Sequence, residues 1–251
     1  MTLGKQKVPS SKHQVPFLET WDLALEAFVY YTPPMGTLIL IRHGQSQWNL
    51  ENRFTGWTDV PLTEQGAKDA VSCAKVLKGT KFDMGFVSRL KRAQDTLSLI
   101  LKELGQSNLM VEKDSSLNER HYGDLQGLNK AETAQKYGEE QVRLWRRDYG
   151  TRPPNGESME DCERRTLPFF KQYILPHLNE GKTVVVGLHG NSMRPIMKYL
   201  ENLSTDVAAS MELNFCTPYI YTIEDGKMTG KEVRDVPGLG AKGTADIKGQ
   251  K

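Results

Sequence analysis

The stretch Thr37-Leu38-Ile39-Leu40-Ile41-Arg42-His43-Gly44-Gln45-Ser46 decides the fold class of this chain. A strand-like apolar run gives way at once to a cation, an imidazole and a glycine. That is the look of a buried strand delivering a reactive side chain to the carboxyl edge of an α/β sheet. The same design returns downstream, where Thr183-Val184-Val185-Val186-Gly187-Leu188 ends in His189-Gly190-Asn191-Ser192. Either histidine alone could simply cap its strand and bond backbone. Two of them at the tips of two such runs, one beside an arginine, point instead to a pocket for an anion and to nucleophilic attack on phosphorus.

Further strand candidates are residues 82–87, 109–113 and 219–223. Helical apolar spacing runs through 64–77, 91–104, 130–148, 157–178 and 193–200, with Gly138 a weak point in the third and Pro168 expected to kink or divide the fourth. Strands alternating with helices predict an α/β fold of three layers, α/β/α, around a mostly parallel central sheet.

The chain has 251 residues, 38% hydrophobic and 25% charged, enough for one sizeable core. No apolar run approaches the roughly 18 residues of a membrane span. A formal net charge of +2 is too small for a nucleic-acid surface, so the expected partner is a small anion, with no nucleic acid and no membrane. Cys73, Cys162 and Cys216 lack metal-ligand spacing and read as reduced core thiols of a cytoplasmic protein.

The histidine segment continues as Gln47-Trp48-Asn49 and Phe54-Thr55-Gly56-Trp57-Thr58-Asp59-Val60-Pro61-Leu62-Thr63. It is followed by Ser88-Arg89-Leu90-Lys91-Arg92-Ala93-Gln94, by Leu117-Asn118-Glu119-Arg120-His121-Tyr122-Gly123-Asp124-Leu125-Gln126-Gly127-Leu128-Asn129-Lys130, and by Tyr137-Gly138-Glu139-Glu140, Trp145-Arg146-Arg147 and Pro153-Pro154. This ordered set resembles the histidine phosphatase superfamily and, within it, the cofactor-dependent phosphoglycerate mutases. The likeness covers nearly everything from Thr37 to about Gly226, and the 117–130 stretch is the part that general phosphatases of the superfamily do not share. It implies a phosphoglycerate mutase-like fold and interconversion of 3-phosphoglycerate and 2-phosphoglycerate through a phosphohistidine, with 2,3-bisphosphoglycerate as primer.

Residue by residue, the resemblance makes His43 the nucleophile, Arg42 and Arg92 the clamps on the phosphoryl oxygens, and His189 a hydrogen-bond donor to that group. Imidazole and guanidinium suit those tasks. Glu119 is the expected proton shuttle, a role that calls for a partly desolvated carboxyl close to His43. Asn49 and Asn191, with Gly190 between the latter and His189, add neutral donors, although asparagines more often cap or turn. Arg146 and Arg147 point about 100° apart on a helix and could line two sides of a cleft. With Lys130, Tyr122, Thr55 and Gly56 they are assigned to the substrate's carboxylate and distal phosphate. Outside the resemblance, Arg92 would be read as a surface ion pair, Glu119 as a partner of Arg120, and the arginine pair as a solvated patch. His13 and His177 are expected to be surface or packing residues, and His121 to support Glu119 and Tyr122. No metal is expected, since no HExxH or carboxylate cluster accompanies the histidines.

The rival activity is a bisphosphoglycerate mutase or phosphatase of the same superfamily; the rival from another class is a non-catalytic binding protein, which would be expected to have lost one of these residues. Two departures from the family pattern stand out. Only Asn155-Gly156 separate Pro154 from Glu157 where longer mutases insert a loop, so the oligomeric state, monomer or dimer, stays open. Cys216-Thr217-Pro218 replaces the usual Pro-Thr-Gly turn. Residues 1–36 read as an extension, polar at first and then helical over 17–28 with Leu18, Trp21, Leu25 and Phe28 on one face; a transit peptide is disfavoured by Glu19, Asp22 and Glu26. Residues 37–237 are the expected catalytic domain. The Gly- and Lys-rich 238–251 loosely resembles the tail that folds over the site in the mutases.

Overall fold

The structure, a computed structural model, describes residues 34–240; the expected helix at 17–28 and residues 241–251 of the expected tail lie outside them. Six strands form one sheet in the order β3-β2-β4-β1-β5-β6. They are β1 (Met35–Arg42), β2 (Met84–Ser88), β3 (Val111–Asp114), β4 (Thr183–Leu188), β5 (Pro218–Glu224) and β6 (Lys227–Val233). The first four in that order run parallel. β5 is antiparallel to β1, and β6 to β5, so the sheet is mostly parallel, as expected, with an antiparallel edge. β6 was not expected, because its exposed edge carries few apolar residues. The signal for it was Asp225-Gly226, both at positive φ, the pair that closes a two-residue hairpin.

Alternation along the strands builds the three layers. Leu38 and Leu40 of β1 and Val184, Val186 and Leu188 of β4 point to one face, while Ile39, Ile41 and Val185 point to the other. The second face is covered by α2 (Glu64–Val76) and α3 (Lys91–Glu103) through Ala70, Cys73, Ala74, Leu97 and Ile100. The first is covered by α6 (Met159–Phe169), α7 (Leu175–Asn179) and α8 (Gly190–Glu201) through Phe169, Leu178, Met193, Ile196 and Met197.

A short α1 (Gln47–Leu50) and α9 (Thr205–Ser210) escaped the periodicity because each is little more than one turn. The segment expected as one helix over 130–148 is two, α4 (Lys130–Tyr137) and α5 (Glu139–Arg147). They part at Gly138, whose φ of 88° is a conformation side-chain-bearing residues avoid. Past Pro168, α6 widens into a π-turn over Phe170–Ile174 before α7, the division expected where proline removes a helical donor. All three cysteines are buried and free, and burial pushes the Cys162 thiol up to about 12. Among the described residues no helix is long and apolar enough to cross a membrane.

Candidate active site

Strand register assembles the centre of the site. β1 and β4 pair with Arg42 opposite Leu188, so the residues that follow, His43 and His189, leave the sheet side by side. His43 N–H donates to Leu188 O at 3.0 Å, and the two imidazole centroids are 4.9 Å apart.

His43 is 2% exposed, with Nδ1 2.6 Å from Gly44 O. A carbonyl can only accept, so Nδ1 carries the proton and the lone pair sits on Nε2. Burial, reinforced by Arg92 and Arg42, holds this imidazole well below its ordinary pKa, which leaves it neutral and nucleophilic at neutral pH. The following glycine is a matter of space. An ideal Cβ at residue 44 would stand 2.4 Å from Gly66 O, so any side chain would push α2 off the histidine loop.

Two arginines flank the imidazole. The N-terminus of α3 is capped by Asp59, whose Oδ1 accepts from Lys91 N–H at 2.7 Å, and this places Arg92 in the first helical turn. Arg92 is 1% exposed, which removes the surface ion pair as its role. Its Nε donates to His43 Nε2 at 3.4 Å and its fork to Thr58 O and Gly56 O. Arg42 donates from Nη1 to Leu213 O at 2.7 Å and lies 3.9 Å over the Phe215 ring, and its buried Nε has no partner. Burial brings both guanidinium groups down to about 10, so they remain charged at neutral pH. Neither is in an ion pair among the described residues; their hydrogen-bond partners are neutral carbonyls and the neutral His43 imidazole, which leaves their positive charge free for a ligand.

Glu119 is 8% exposed and does not pair with the Arg120 guanidinium, which reaches Trp145 O and Arg146 O. Its Oε1 accepts from the backbone N–H groups of Arg120 and Asn191 at 2.7 and 3.2 Å. Its Oε2 lies near Gly190, 4.0 Å from an ideal Cβ there. The loop that carries it is braced through Glu119 O, which accepts from Trp57 Nε1 at 2.5 Å and from Arg165 at 2.9 Å, and Arg165 is itself paired with Glu157. His121 accepts from Gly123 N–H on Nδ1 and meets Trp57 edge-on, so its support for Glu119 runs through that indole.

His189 sits one layer deeper than the cleft wall. It is 0% exposed, with Nε2 2.6 Å from Ser88 Oγ and Nδ1 buried without a partner. Burial, then Arg92, holds it well below its ordinary pKa.

The remaining expected residues line one cleft with His43, Arg42, Arg92 and Glu119. Its lining is dominated by cationic and polar side chains, which suits a small anion. Asn49 spends Oδ1 on capping α1 through Ser46, so the cap and the cleft roles coexist. Asn129 caps α4 and thereby fixes Lys130 at its first position, while Arg146 and Arg147 end α5. Lys130 is half-buried; burial and then Arg146 pull it down to about 7. Tyr122 is raised by burial but lowered by more through Arg120 and Arg146, so its phenol lies below the ordinary value; its hydroxyl accepts from Asn191 at 3.4 Å. Thr55 and Gly56 supply a turn in which Thr55 Oγ1 is buried without a partner. Three lining residues were not anticipated as such, Arg53, Phe54 and Arg194. Arg194 was hidden because the expected helix began at Met193, too late to show it one turn beyond Gly190.

The cleft thus gathers an uncharged imidazole, two buried arginines in no ion pair among the described residues, further cations and one buried carboxyl, a set that can bind a polyanion and pass a phosphoryl group to nitrogen. The profile of the histidine phosphatase superfamily (branch 1) matches residues 38–236. The chain is 52% identical over 187 residues to a protein of Gloeobacter violaceus named 2,3-bisphosphoglycerate-dependent phosphoglycerate mutase 2, covering 74% of this chain and 85% of that one. It is 49% identical to the Bartonella tribocorum protein named 2,3-bisphosphoglycerate-dependent phosphoglycerate mutase, over 78% of this chain and 97% of the relative. Among solved structures, Bacillus stearothermophilus YhfR superposes with a TM-score of 0.69 at 28% identity, over 77% of this chain and 94% of that one. The chain belongs to the histidine phosphatase superfamily, in the family of the 2,3-bisphosphoglycerate-dependent phosphoglycerate mutases.

Proposed function

We propose that this protein interconverts 3-phosphoglycerate and 2-phosphoglycerate in glycolysis and gluconeogenesis by phosphoryl transfer through His43, and that it works in the cytoplasm. The observation that carries the reading is the His43 imidazole. Its proton is committed to Gly44 O, and its Nε2 lone pair lies beside an arginine that has no carboxylate partner among the described residues. The relatives' names supply the substrate class.

Nε2 attacks phosphorus, and Arg42 and Arg92 balance the charge that spreads over the transferred oxygens. Glu119 Oε2 takes the proton of the attacking substrate hydroxyl and returns one to the leaving oxygen. Oε1 stays on its two N–H donors, so the carboxyl keeps its place as the proton moves to and from Oε2. With the Ser88 hydroxyl, 2.6 Å away, donating to His189 Nε2, the imidazole proton sits on Nδ1 and is the donor offered to the phosphoryl group. Lys130, Arg146, Arg147, Tyr122, Asn49 and the Thr55-Gly56 turn hold the distal anionic groups.

The residues present also fit 2,3-bisphosphoglycerate as primer, because Arg42 Nε and Thr55 Oγ1 are buried polar atoms without partners in a cleft of surplus positive charge. When bound, this compound supplies the phosphoryl group with which the cycle starts. Purified protein is expected to need catalytic amounts of 2,3-bisphosphoglycerate, and to keep its rate in EDTA when the interconversion is followed directly by phosphorus NMR, with no metal-requiring coupling enzyme present. Primer-independent turnover, or loss on chelation with rescue by manganese, would discard the reading.

Lys130 gives a pH signature. A free-enzyme value of about 7 means that above neutrality the amine must take up a proton to hold an anion. The dissociation constant for 3-phosphoglycerate is therefore expected to rise with pH above about 7, by up to about tenfold per unit. Lys130→Met should bind more weakly and with a flat profile over the same range. An identical slope in both proteins would move the titration to another group.

A further inference from the structure

Arg194 is the one buried cation of the cleft that the expected roles leave unused. It stands on α8 four residues beyond Gly190 and three beyond Asn191, so the helix presents it on the face that carries those two cleft residues. It is 3% exposed. Its fork reaches two backbone carbonyls, Met211 O at 2.8 Å and, at the long distance of 3.5 Å, Ala208 O. Its Nε is buried without a partner, and it is in no ion pair among the described residues. Burial, then Arg147 and Arg42, draws it down to about 9, the mark of a charge held against desolvation and against like charges.

Closing the end of α9 does not call for such a group. Two carbonyls can be satisfied by a neutral donor, whereas a full positive charge buried among other cations is unfavourable until an anion joins them. The phosphoryl group at His43 already has Arg42 and Arg92. A phosphoglycerate brings a second anionic group, its carboxylate, and a bisphosphoglycerate brings a third.

We propose that Arg194 is a specificity-determining residue of this cleft, recognising an anionic group of the substrate remote from the phosphoryl group held at His43, and so favouring multiply charged phosphoglycerates over simple phosphates. This rests on the phosphoglycerate reading and adds a residue to it. A substrate with only one anionic group has no use for this guanidinium; one with two or three gains a charge-assisted contact in a desolvated wall.

The test compares Arg194→Gln, which keeps a neutral donor for the Met211 carbonyl, with Arg194→Lys, which keeps the charge. Dissociation constants for inorganic phosphate, 3-phosphoglycerate and 2,3-bisphosphoglycerate are measured by calorimetry, and the melting temperature of each ligand-free protein is recorded. In Arg194→Gln the preference for 3-phosphoglycerate or 2,3-bisphosphoglycerate over inorganic phosphate should fall at least tenfold, while the ligand-free melting temperature holds or rises. Lysine should restore most of the preference. A loss shared by both organic ligands assigns Arg194 to the carboxylate; a loss confined to the bisphosphate assigns it to the second phosphate. An unchanged preference, or an equal weakening for all three ligands together with a lower melting temperature, overturns the proposal and leaves Arg194 as the cap of α9. Binding ratios do not depend on turnover, so absence of mutase activity in the wild type would remove the functional reading without touching this result.

Discussion

His43→Ala is expected to abolish labelling by 2,3-bisphosphoglycerate and to cut mutase turnover by about 10⁴-fold or more, because the covalent route disappears with its nucleophile. In the wild type the label should be acid-labile and base-stable, as a phosphate on nitrogen is. The replacement is mild for the fold. The imidazole's own bonds are to the adjacent Gly44 carbonyl and to Arg92, and Arg92 keeps Thr58 O and Gly56 O. Circular dichroism should therefore match the wild type. A label that persists in the alanine variant would assign the phosphate to another residue.

Glu119→Gln should lower turnover by roughly 10²-fold or more with little change in KM. Glutamine keeps an oxygen able to accept from the Arg120 and Asn191 N–H groups, so the loop is held while the titratable oxygen facing Gly190 becomes an amide. Steady-state kinetics at neutral pH separate the possibilities. An undiminished rate would reduce Glu119 to an acceptor for two backbone donors.

The parts of the fold legible in the sequence were those whose signal is local. The expectation of 183–188 matches β4, and those of 64–77 and 91–104 match α2 and α3 to within one residue, because each is a complete apolar period bounded by a turn. β6 and the direction of β5 were not, since a polar edge strand has no core face to reveal it, and antiparallel pairing is settled by partners far along the chain. The candidate site divides the same way. Arg42 and His43 follow from a strand end. Arg92, read without the family, looks like a surface residue of α3, and what buries it is a pair of carbonyls from the 56–58 turn. The same holds for Arg194, whose carbonyl partners lie at residues 208 and 211. Phe215 passed as one more apolar residue; only the fold lays its ring 3.9 Å from the Arg42 guanidinium and 5.7 Å from the His43 ring.

The strand order bears on how the chain is made. β1 is the first strand of the described sequence, yet both of its neighbours, β4 and β5, come from beyond residue 182. During synthesis its run of Leu38, Ile39, Leu40 and Ile41 therefore has no sheet partner on either side until β4 and β5 have left the ribosome. Domains with such distant pairings close late and keep apolar surface open to association meanwhile. His43 is synthesised well before His189, so the two imidazoles of the site meet only once β4 has been made, and until then β1 stays unpaired.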